Sequence, residues 1–191
     1  MKELTVLLLC IIVIFIYMNY IRKSLYLDKI KSSVNGKEYY VRNLPDKQEA
    51  ANKLANISQL LNQLVQSLDE SEKEKGEDIQ RLKKSFNSEY ITENIPGSMY
   101  VAYSVNKGEE LSLCIREKDT EEFIDNNTIL FVAIHELSHI MTDEIGHTPL
   151  FWDNMKYLLE KASSQGIYQI INYNDSPVMY CGMKIDSTPL N

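Results

Sequence analysis

An uncharged, strongly apolar run opens the chain and differs from everything that follows it. No residue between positions 4 and 21 is charged, and residues 7–15 are almost purely aliphatic. Eighteen helical residues, at a rise of about 1.5 Å each, extend about 27 Å, close to the hydrocarbon thickness of a bilayer. The bulky residues 17–20 offer no cleavage site of small residues. The run therefore predicts an uncleaved transmembrane helix within residues 1–23, with a cleaved signal peptide or a buried core helix as the alternatives.

The charges that flank this run predict its orientation. Arg22 and Lys23 follow it, whereas Lys2 alone precedes it and is offset by Glu3. Because the cytoplasmic flanks of membrane spans are enriched in Lys and Arg, we expect a single-pass membrane protein with its soluble domain on the cytoplasmic side.

Helical periodicity follows the apolar run after a polar stretch. Residues 24–45 are polar and contain several Lys and Tyr, which predicts a connector. Pro45 then fits the first turn of a helix, and the charged residues 71–78 predict a solvated turn after that helix. One face of the helix carries apolar residues at spacings of three and four, namely Ala50, Leu54, Ile57, Leu61, Leu64 and Leu68. A shorter helix is predicted from Ile79, Leu82 and Phe86.

Strand-like alternation of apolar and polar positions appears in the second half of the chain. Residues 99–105 and 111–115 alternate in this way, and the intervening Asn106-Lys107-Gly108 has the composition of a turn with Gly108 at a positive φ. Together these segments predict a β-hairpin. Either strand could offer its edge to an extended substrate by strand addition.

A second apolar helix is expected to begin near Thr128, with Asn127 or Thr128 as its N-cap. Helices and strands then mix within one soluble domain, which is an α+β arrangement. The predicted division of the chain is a transmembrane anchor at 1–23, a connector at 24–45 and one domain at 46–191, with a helical part at 46–95 and a hairpin-containing part at 96–191.

Composition and charge exclude several classes of protein. The formal charge of the 191 residues is −7 at pH 7. No nucleic-acid partner is expected, because proteins that bind phosphate backbones are normally basic. Three Cys, of which Cys10 lies inside the apolar run, do not make a disulfide framework. Cys114 and Cys181 fit a reducing compartment, although they could also pair.

All three histidines of the chain lie within thirteen residues of one another. The second apolar helix contains His135-Glu136-Leu137-Ser138-His139, the pattern H-E-x-x-H. Residues four apart share one face of a helix, so His135 and His139 can bind one ion while Glu136 holds a water beside them. His147 follows Gly146, where the chain can turn back. Since a catalytic zinc takes three protein ligands and leaves one position open, His147 is the expected third ligand.

Two alternatives to this ligand set stay open. Glu160 follows His139 by 21 residues on the next predicted helix, an offset close to that of thermolysin-like enzymes, and would then replace His147. Cys181 could approach the zinc as a fourth, inhibitory ligand, because thiolates bind zinc well. A partner for the oxyanion is not assigned, and the tyrosines that could serve by chemistry alone are Tyr157, Tyr168, Tyr173 and Tyr180.

The H-E-x-x-H segment and the following Gly146-His147-Thr148-Pro149-Leu150-Phe151-Trp152 resemble the active-site signature of the WLM and SprT-like zinc metallopeptidases. The chain is similar in particular to WLM-like proteins of large DNA viruses. In those families the third histidine is a zinc ligand and the glutamate is the general base, which implies these roles for His147 and Glu136. The usual His-Gly order is reversed here as Gly146-His147. The resemblance covers about residues 99–190.

The resemblance implies a zincin-like α+β fold, in which the active-site helix packs against a small antiparallel sheet or hairpin with further helices. It implies a viral, membrane-anchored zinc metallopeptidase, tethered to a host-cell or virion membrane through residues 4–21. This hydrolase would cleave a protein or peptide substrate through a zinc-activated water, with Glu136 as the general base. The alternative is a non-catalytic zinc-binding structural or scaffold module tethered to a membrane.

Overall fold

The computed structural model describes residues 2–190, but several side chains within residues 2–24 lie outside the description. The described residues form five α-helices: α1 (Lys2–Tyr26), α2 (Lys47–Ser67), α3 (Gly76–Ser85), α4 (Asn126–Met141) and α5 (Pro149–Ser164). They also form seven short strands: β1 (Leu27–Lys31), β2 (Glu38–Arg42), β3 (Ile91–Glu93), β4 (Ala102–Val105), β5 (Glu110–Leu113), β6 (Val178–Tyr180) and β7 (Met183–Ile185). The expected α+β class is confirmed.

Helix α1 covers the predicted transmembrane run at residues 4–21. Several side chains of that run lie outside the described residues. Within the part of the chain that is described, no helix is both long enough and apolar enough to cross a membrane. The prediction of a transmembrane helix is therefore not supported by the structure.

The segment 24–45, predicted as a connector, instead contains a β-hairpin. Strands β1 and β2 pair antiparallel, with Leu27 opposite Arg42 and Lys31 opposite Glu38. This correction has a physical reason, because the hairpin turns its few apolar side chains inward against α2. The side chains of Leu27, Tyr39 and Val41 are buried there.

Helix α2 carries the predicted apolar stripe, and its apolar residues from Ala50 to Val65 line the core. Its start differs from the prediction, since Pro45 precedes the cap residue Asp46 and lies outside the first turn. The Asp46 side chain makes no capping hydrogen bond. The solvated turn predicted at 71–78 is shorter than expected, because α3 already begins at Gly76.

The predicted hairpin is confirmed as β4 and β5, which pair antiparallel with Ala102 opposite Leu113. Strand β3 was not predicted; it pairs parallel to β5, so the sheet has the order β3-β5-β4 and β4 lies at its edge. In the β4–β5 turn, Gly108 has a φ of 116°. A Cβ there would lie 2.8 Å from the backbone oxygen of Ser85, so both the conformation and the contact require glycine.

Helix α4 is buried on nearly every side and packs against α2, α3, α5, β4 and β5. Its N-cap is Asp125 rather than the predicted Asn127 or Thr128, and the Asp125 carboxylate accepts a hydrogen bond of 3.0 Å from the Thr128 amide. Strands β6 and β7 form a separate two-stranded sheet near the end of the chain.

A buried ion network ties the first half of the domain to the second. Arg116 is only 2% exposed and donates to Glu93 at 2.8 Å and to both carboxylate oxygens of Asp46 at 2.6 and 2.8 Å. Glu93 also accepts a hydrogen bond of 2.7 Å from the backbone amide of Arg42. The Asp46 carboxylate thus joins the start of α2 to Arg116 instead of capping its own helix.

We expect Glu93→Ala to lower the free energy of unfolding by about 3 kcal/mol and Tm by roughly 6–12 °C. The substitution leaves the buried Arg116 guanidinium with Asp46 as its remaining ionic partner. Glu89→Ala is the control, because it breaks an ion pair with Lys37 in which both side chains are about half exposed. Thermal unfolding of the two variants measures the difference, and equal Tm values would contradict the assignment.

Candidate metal centre

Helix α4 places two of the three histidines on its one partly exposed face. His135 and His139 lie one helical turn apart and are partly exposed, whereas most of the remaining α4 side chains are buried. Their rings are in edge-to-face contact, with centroids 4.9 Å apart. The spacing of four residues therefore brings both imidazoles to the same face, as expected from the sequence.

The third histidine reaches this face by a short loop between α4 and α5. Gly146 has a φ of 89°, a left-handed conformation that reverses the chain immediately before His147. Thr148 then caps α5, and its hydroxyl accepts a hydrogen bond of 3.3 Å from the Phe151 amide. The His147 side chain is exposed, so the open side of the site faces solvent.

The ring nitrogens of the three histidines converge on one point. The Nε2 atom of His147 lies 3.0 Å from that of His135 and 3.1 Å from that of His139. These distances are slightly shorter than those around a shared cation, since tetrahedral ligands at about 2.1 Å from zinc lie about 3.4 Å apart, so a small outward movement of the rings would admit the ion. Within the described residues, this trio is the one group of His, Cys, Asp and Glu side chains that could hold a metal ion. The donor set therefore fits zinc.

One buried aromatic ring supports all three imidazoles. The Phe151 side chain is fully buried, and its ring centroid lies 4.9, 4.4 and 4.7 Å from those of His135, His139 and His147. Trp152 covers the side of the site, 5.5 Å from the His147 ring, and remains partly exposed. Phe151 and Trp152, which end the segment that resembles the family signature, thus pack against the predicted ligands.

Asn154 holds the loop that carries His147, and no sequence pattern indicates this role. This fully buried side chain donates to the Thr142 hydroxyl at 3.1 Å and to Asp78 at 3.2 Å. Its carbonyl oxygen accepts a hydrogen bond of 2.7 Å from Lys75. Because Thr142 ends α4 and Asn154 lies on α5, the amide fixes both ends of the connection.

Burial keeps two of the imidazoles neutral. It lowers the pKa of His135 to about 3 and that of His139 to about 4, and the positive charge of a neighbouring protonated imidazole adds to both shifts. A neutral imidazole is the form that binds a metal. These two side chains are therefore ready to bind a cation at neutral pH without first losing a proton.

The Glu136 side chain, next to His135 on α4, is nearly buried, with 9% of its surface exposed. Burial raises its pKa to about 7, and a hydrogen bond from the backbone N–H of Ser104 on β4 opposes part of the rise. A divalent cation bound by the adjacent histidines would lower this pKa again, so that the carboxyl is ionised at neutral pH. An ionised carboxylate is the form that accepts a proton as a general base.

The remaining sequence candidates lie elsewhere. Glu160 is exposed on α5 and is not part of the histidine cluster. Cys181 is bonded to Cys114 in a disulfide, which corrects the idea that its thiolate approaches a metal. Tyr157 donates a hydrogen bond to Glu72. Tyr168 and Tyr173 are buried beside Phe131, which lies on the part of α4 that precedes the histidines. Tyr180 is buried at the end of β6.

The family of this chain is shown by its match to a protein-family model. The model of the WLM domain matches residues 35–176, which is most of the chain. The chain belongs to the WLM family. The match includes the β2 strand and α2, so the family relationship begins well before residue 99, where the sequence resemblance was expected to start.

Two curated proteins with sequences similar to that of this chain come from viruses. Uncharacterized protein R325 of Acanthamoeba polyphaga mimivirus is 34% identical over 160 residues, which cover 82% of this chain and 81% of that protein. Uncharacterized protein 136R of Invertebrate iridescent virus 6 is 39% identical over 69 residues, covering 35% of this chain and 38% of that protein.

A solved structure shares the fold of this WLM chain. The crystal structure of Wss1 from Saccharomyces cerevisiae superposes with a TM-score of 0.51 and 19% identity, over 66% of this chain and 89% of that chain. At the level of the family, membership points to a zinc-dependent, metallopeptidase-like enzyme.

We expect the zinc affinity to depend weakly on pH. A proton competes for an imidazole only below the pKa of that imidazole, and three ordinary histidines would together lose about 1000-fold in affinity by pH 5.5. Since the pKa values of His135 and His139 are lowered to about 3 and 4, we expect a loss of at most about tenfold in the Glu136→Gln variant, in which no proton of the Glu136 carboxyl is released on zinc binding. Competition titrations against a chelator from pH 8 to 5.5 measure this, and a loss of several hundredfold would contradict it.

The third ligand is tested with two alanine variants. We expect His147→Ala to weaken zinc binding by more than about 100-fold. Loss of a residue that only hydrogen-bonds to a metal ligand weakens binding by roughly 10- to 100-fold, and loss of the ligand itself should cost more. Glu160→Ala is expected to leave the affinity unchanged, because that side chain is exposed outside the cluster. Zinc titration of both variants separates the two candidates, and the opposite order of effects would favour Glu160.

Proposed function

We propose that this chain is a zinc-dependent metallopeptidase that hydrolyses peptide bonds in a protein or peptide substrate. His135, His139 and His147 would hold the zinc ion, and Glu136 would act as the general base. The observation that carries the proposal is the convergence of three ring nitrogens beside a buried carboxyl that does not belong to the converging set.

The zinc ion, when bound, supplies a Lewis acid that polarises the substrate carbonyl and lowers the pKa of a water. Glu136 accepts the proton of the attacking water at a carboxylate oxygen and then delivers it to the leaving amine nitrogen. The backbone N–H of Ser104 orients the Glu136 carboxylate during both transfers. Phe151 excludes water from the protein side of the three imidazoles.

The edge strand β4 supports an extended polypeptide as the substrate. Val101 accepts a hydrogen bond of 3.1 Å from Cys114, so residue 101 and every second residue after it direct their backbone polar groups toward β5. The backbone groups of Ala102 and the carbonyl of Ser104 consequently face the open edge, whereas the Ser104 N–H at that edge donates to Glu136 and would not pair with a substrate. A peptide that adds to this edge as a strand would lie beside the histidines.

A non-catalytic zinc module is the alternative. Structural zinc sites are normally closed by four protein ligands, whereas the described residues contribute three at this site. Such a module also has no need of a buried carboxyl beside the ligands. The open fourth position and Glu136 both favour catalysis.

We expect Glu136→Gln to retain one zinc ion per chain and to lose at least about 100-fold in peptide hydrolysis, because the amide cannot accept the proton of the water. Cleavage of a peptide library and metal analysis of the same sample measure the two effects. Glu160→Gln, an exposed carboxyl on α5, is the matched control and should keep full activity.

Chelation should abolish hydrolysis, and zinc should restore it. Zinc binding without cleavage of any peptide by the wild-type chain would favour the structural module. Full activity of Glu136→Gln would refute the role of Glu136 as the base.

A further inference from the structure

A cavity of about 430 Å³ lies beside the start of β4, the edge strand of the three-stranded sheet. One side is lined by residues 94–101, which lead directly into β4, and the other by residues 181–183, at the turn between β6 and β7. The disulfide between Cys114 and Cys181 fixes this turn to the end of β5. The volume lies within the range of about 300–1,000 Å³ that is usual for ligand pockets.

Asn94 lines this cavity and carries an acceptor that the protein leaves unsatisfied. The residue is 7% exposed, and its Nδ2 atom donates a hydrogen bond of 2.5 Å to the backbone oxygen of Tyr100. Its Oδ1 atom is buried and has no hydrogen-bond partner within residues 2–190. A buried acceptor without a partner costs free energy, which a ligand that supplies a donor would recover.

The charges around the cavity do not favour an ionic ligand. Arg116 is paired with Glu93 and Asp46, and Arg42 is paired with Glu121 at 2.5 Å. The remaining charged residues of the lining are one acid and one base, Glu117 and Lys118. A cationic ligand would meet two guanidinium groups, whereas an anionic ligand would find their donors already engaged. A neutral ligand with a hydrogen-bond donor therefore fits best.

Much of the remaining lining is apolar, and it includes two thioethers and an aromatic ring. The residues concerned are Ile95, Pro96, Met99, Tyr100, Val101 and Met183. Thioether sulfurs make favourable contacts with aromatic rings. Tyrosine combines an aromatic body with one neutral donor at its far end, where it can reach a buried acceptor. The lining and the Asn94 acceptor together match this side chain.

We propose that this cavity is a subsite that takes a tyrosine side chain of the polypeptide substrate, whose O–H donates a hydrogen bond to Asn94 Oδ1. The inference rests on the proposed function for the identity of the ligand as a substrate. Strand β4 packs against α4, which carries two of the histidines. A substrate strand added at β4 and continued beyond Ala102 would pass residues 97–101 and reach the cavity a few residues from the scissile bond.

Peptides that differ only by one hydroxyl test the subsite in the full zinc-loaded chain. A single Tyr is placed at successive positions on either side of the bond cleaved in a library-derived peptide, and each peptide is compared with its Phe counterpart. At one position we expect kcat/KM to be roughly 5- to 50-fold higher for Tyr, because Phe leaves Oδ1 without a partner. Equal values at every position would overturn the proposal and leave the peptidase function standing.

Asn94→Ala should reduce the preference for Tyr over Phe at that position to about onefold. The variant also loses the hydrogen bond to Tyr100, but that loss affects both peptides alike, so the ratio isolates the Oδ1 atom. Asn62→Ala is the control, because Asn62 is exposed on α2 and outside the lining, and it should keep the preference. An undiminished preference in folded Asn94→Ala, as judged by its Tm, would contradict the role of Asn94.

A binding measurement separates this inference from the proposed function, and it needs no substitution in the cavity. Fluorescein-labelled peptides of Ala and Ser that contain one Tyr or one Phe are titrated with zinc-loaded Glu136→Gln, and fluorescence anisotropy gives Kd. We expect Kd to be roughly 5- to 50-fold lower for the Tyr peptide. Equal Kd values would overturn the proposal. A preference for Tyr in binding, without cleavage of any peptide by the wild-type chain, would refute the peptidase function and leave the tyrosine site standing.

Discussion

Burial of α4 on nearly every side constrains the whole molecule. A helix that crosses the core can carry ionisable side chains only where one of its faces reaches solvent or where they are paired. His135 and His139 lie on the face of α4 that reaches solvent, and Glu136 lies beside that face and is nearly buried. The surrounding elements complete the site, because α5 places an aromatic ring beneath the imidazoles and β4 brings a backbone amide to the carboxyl.

The part of the site that could be predicted follows from local geometry. The spacing of His135 and His139 determines their common face on any helix, and Gly146 signals the reversal that brings back His147. In the sequence Phe151 is only one residue of the segment that resembles a family signature, although its ring contacts all three imidazoles. That contact depends on how α5 packs across α4. The spacing of apolar residues along either helix does not determine this packing.

The fold shows the same limit. The stripe along α2 was long enough to predict, whereas β3 has three residues, too few for a period to be recognised. The β1–β2 hairpin was not predicted because charged residues occupy its exposed positions, and the segment therefore has the composition of a polar connector. Asp46 stands where a capping residue is expected, but its carboxylate pairs with Arg116, which is distant in sequence and buried by the fold.

The disulfide has a consequence for the integrity of the chain. Cys114 and Cys181 are 67 residues apart, and the covalent ring that they close contains α4, α5 and all four residues of the candidate centre. A single break in the backbone anywhere inside this ring would leave both fragments joined. A nicked molecule would therefore migrate as one species until its thiols were reduced, and its histidines would remain in the same covalent unit.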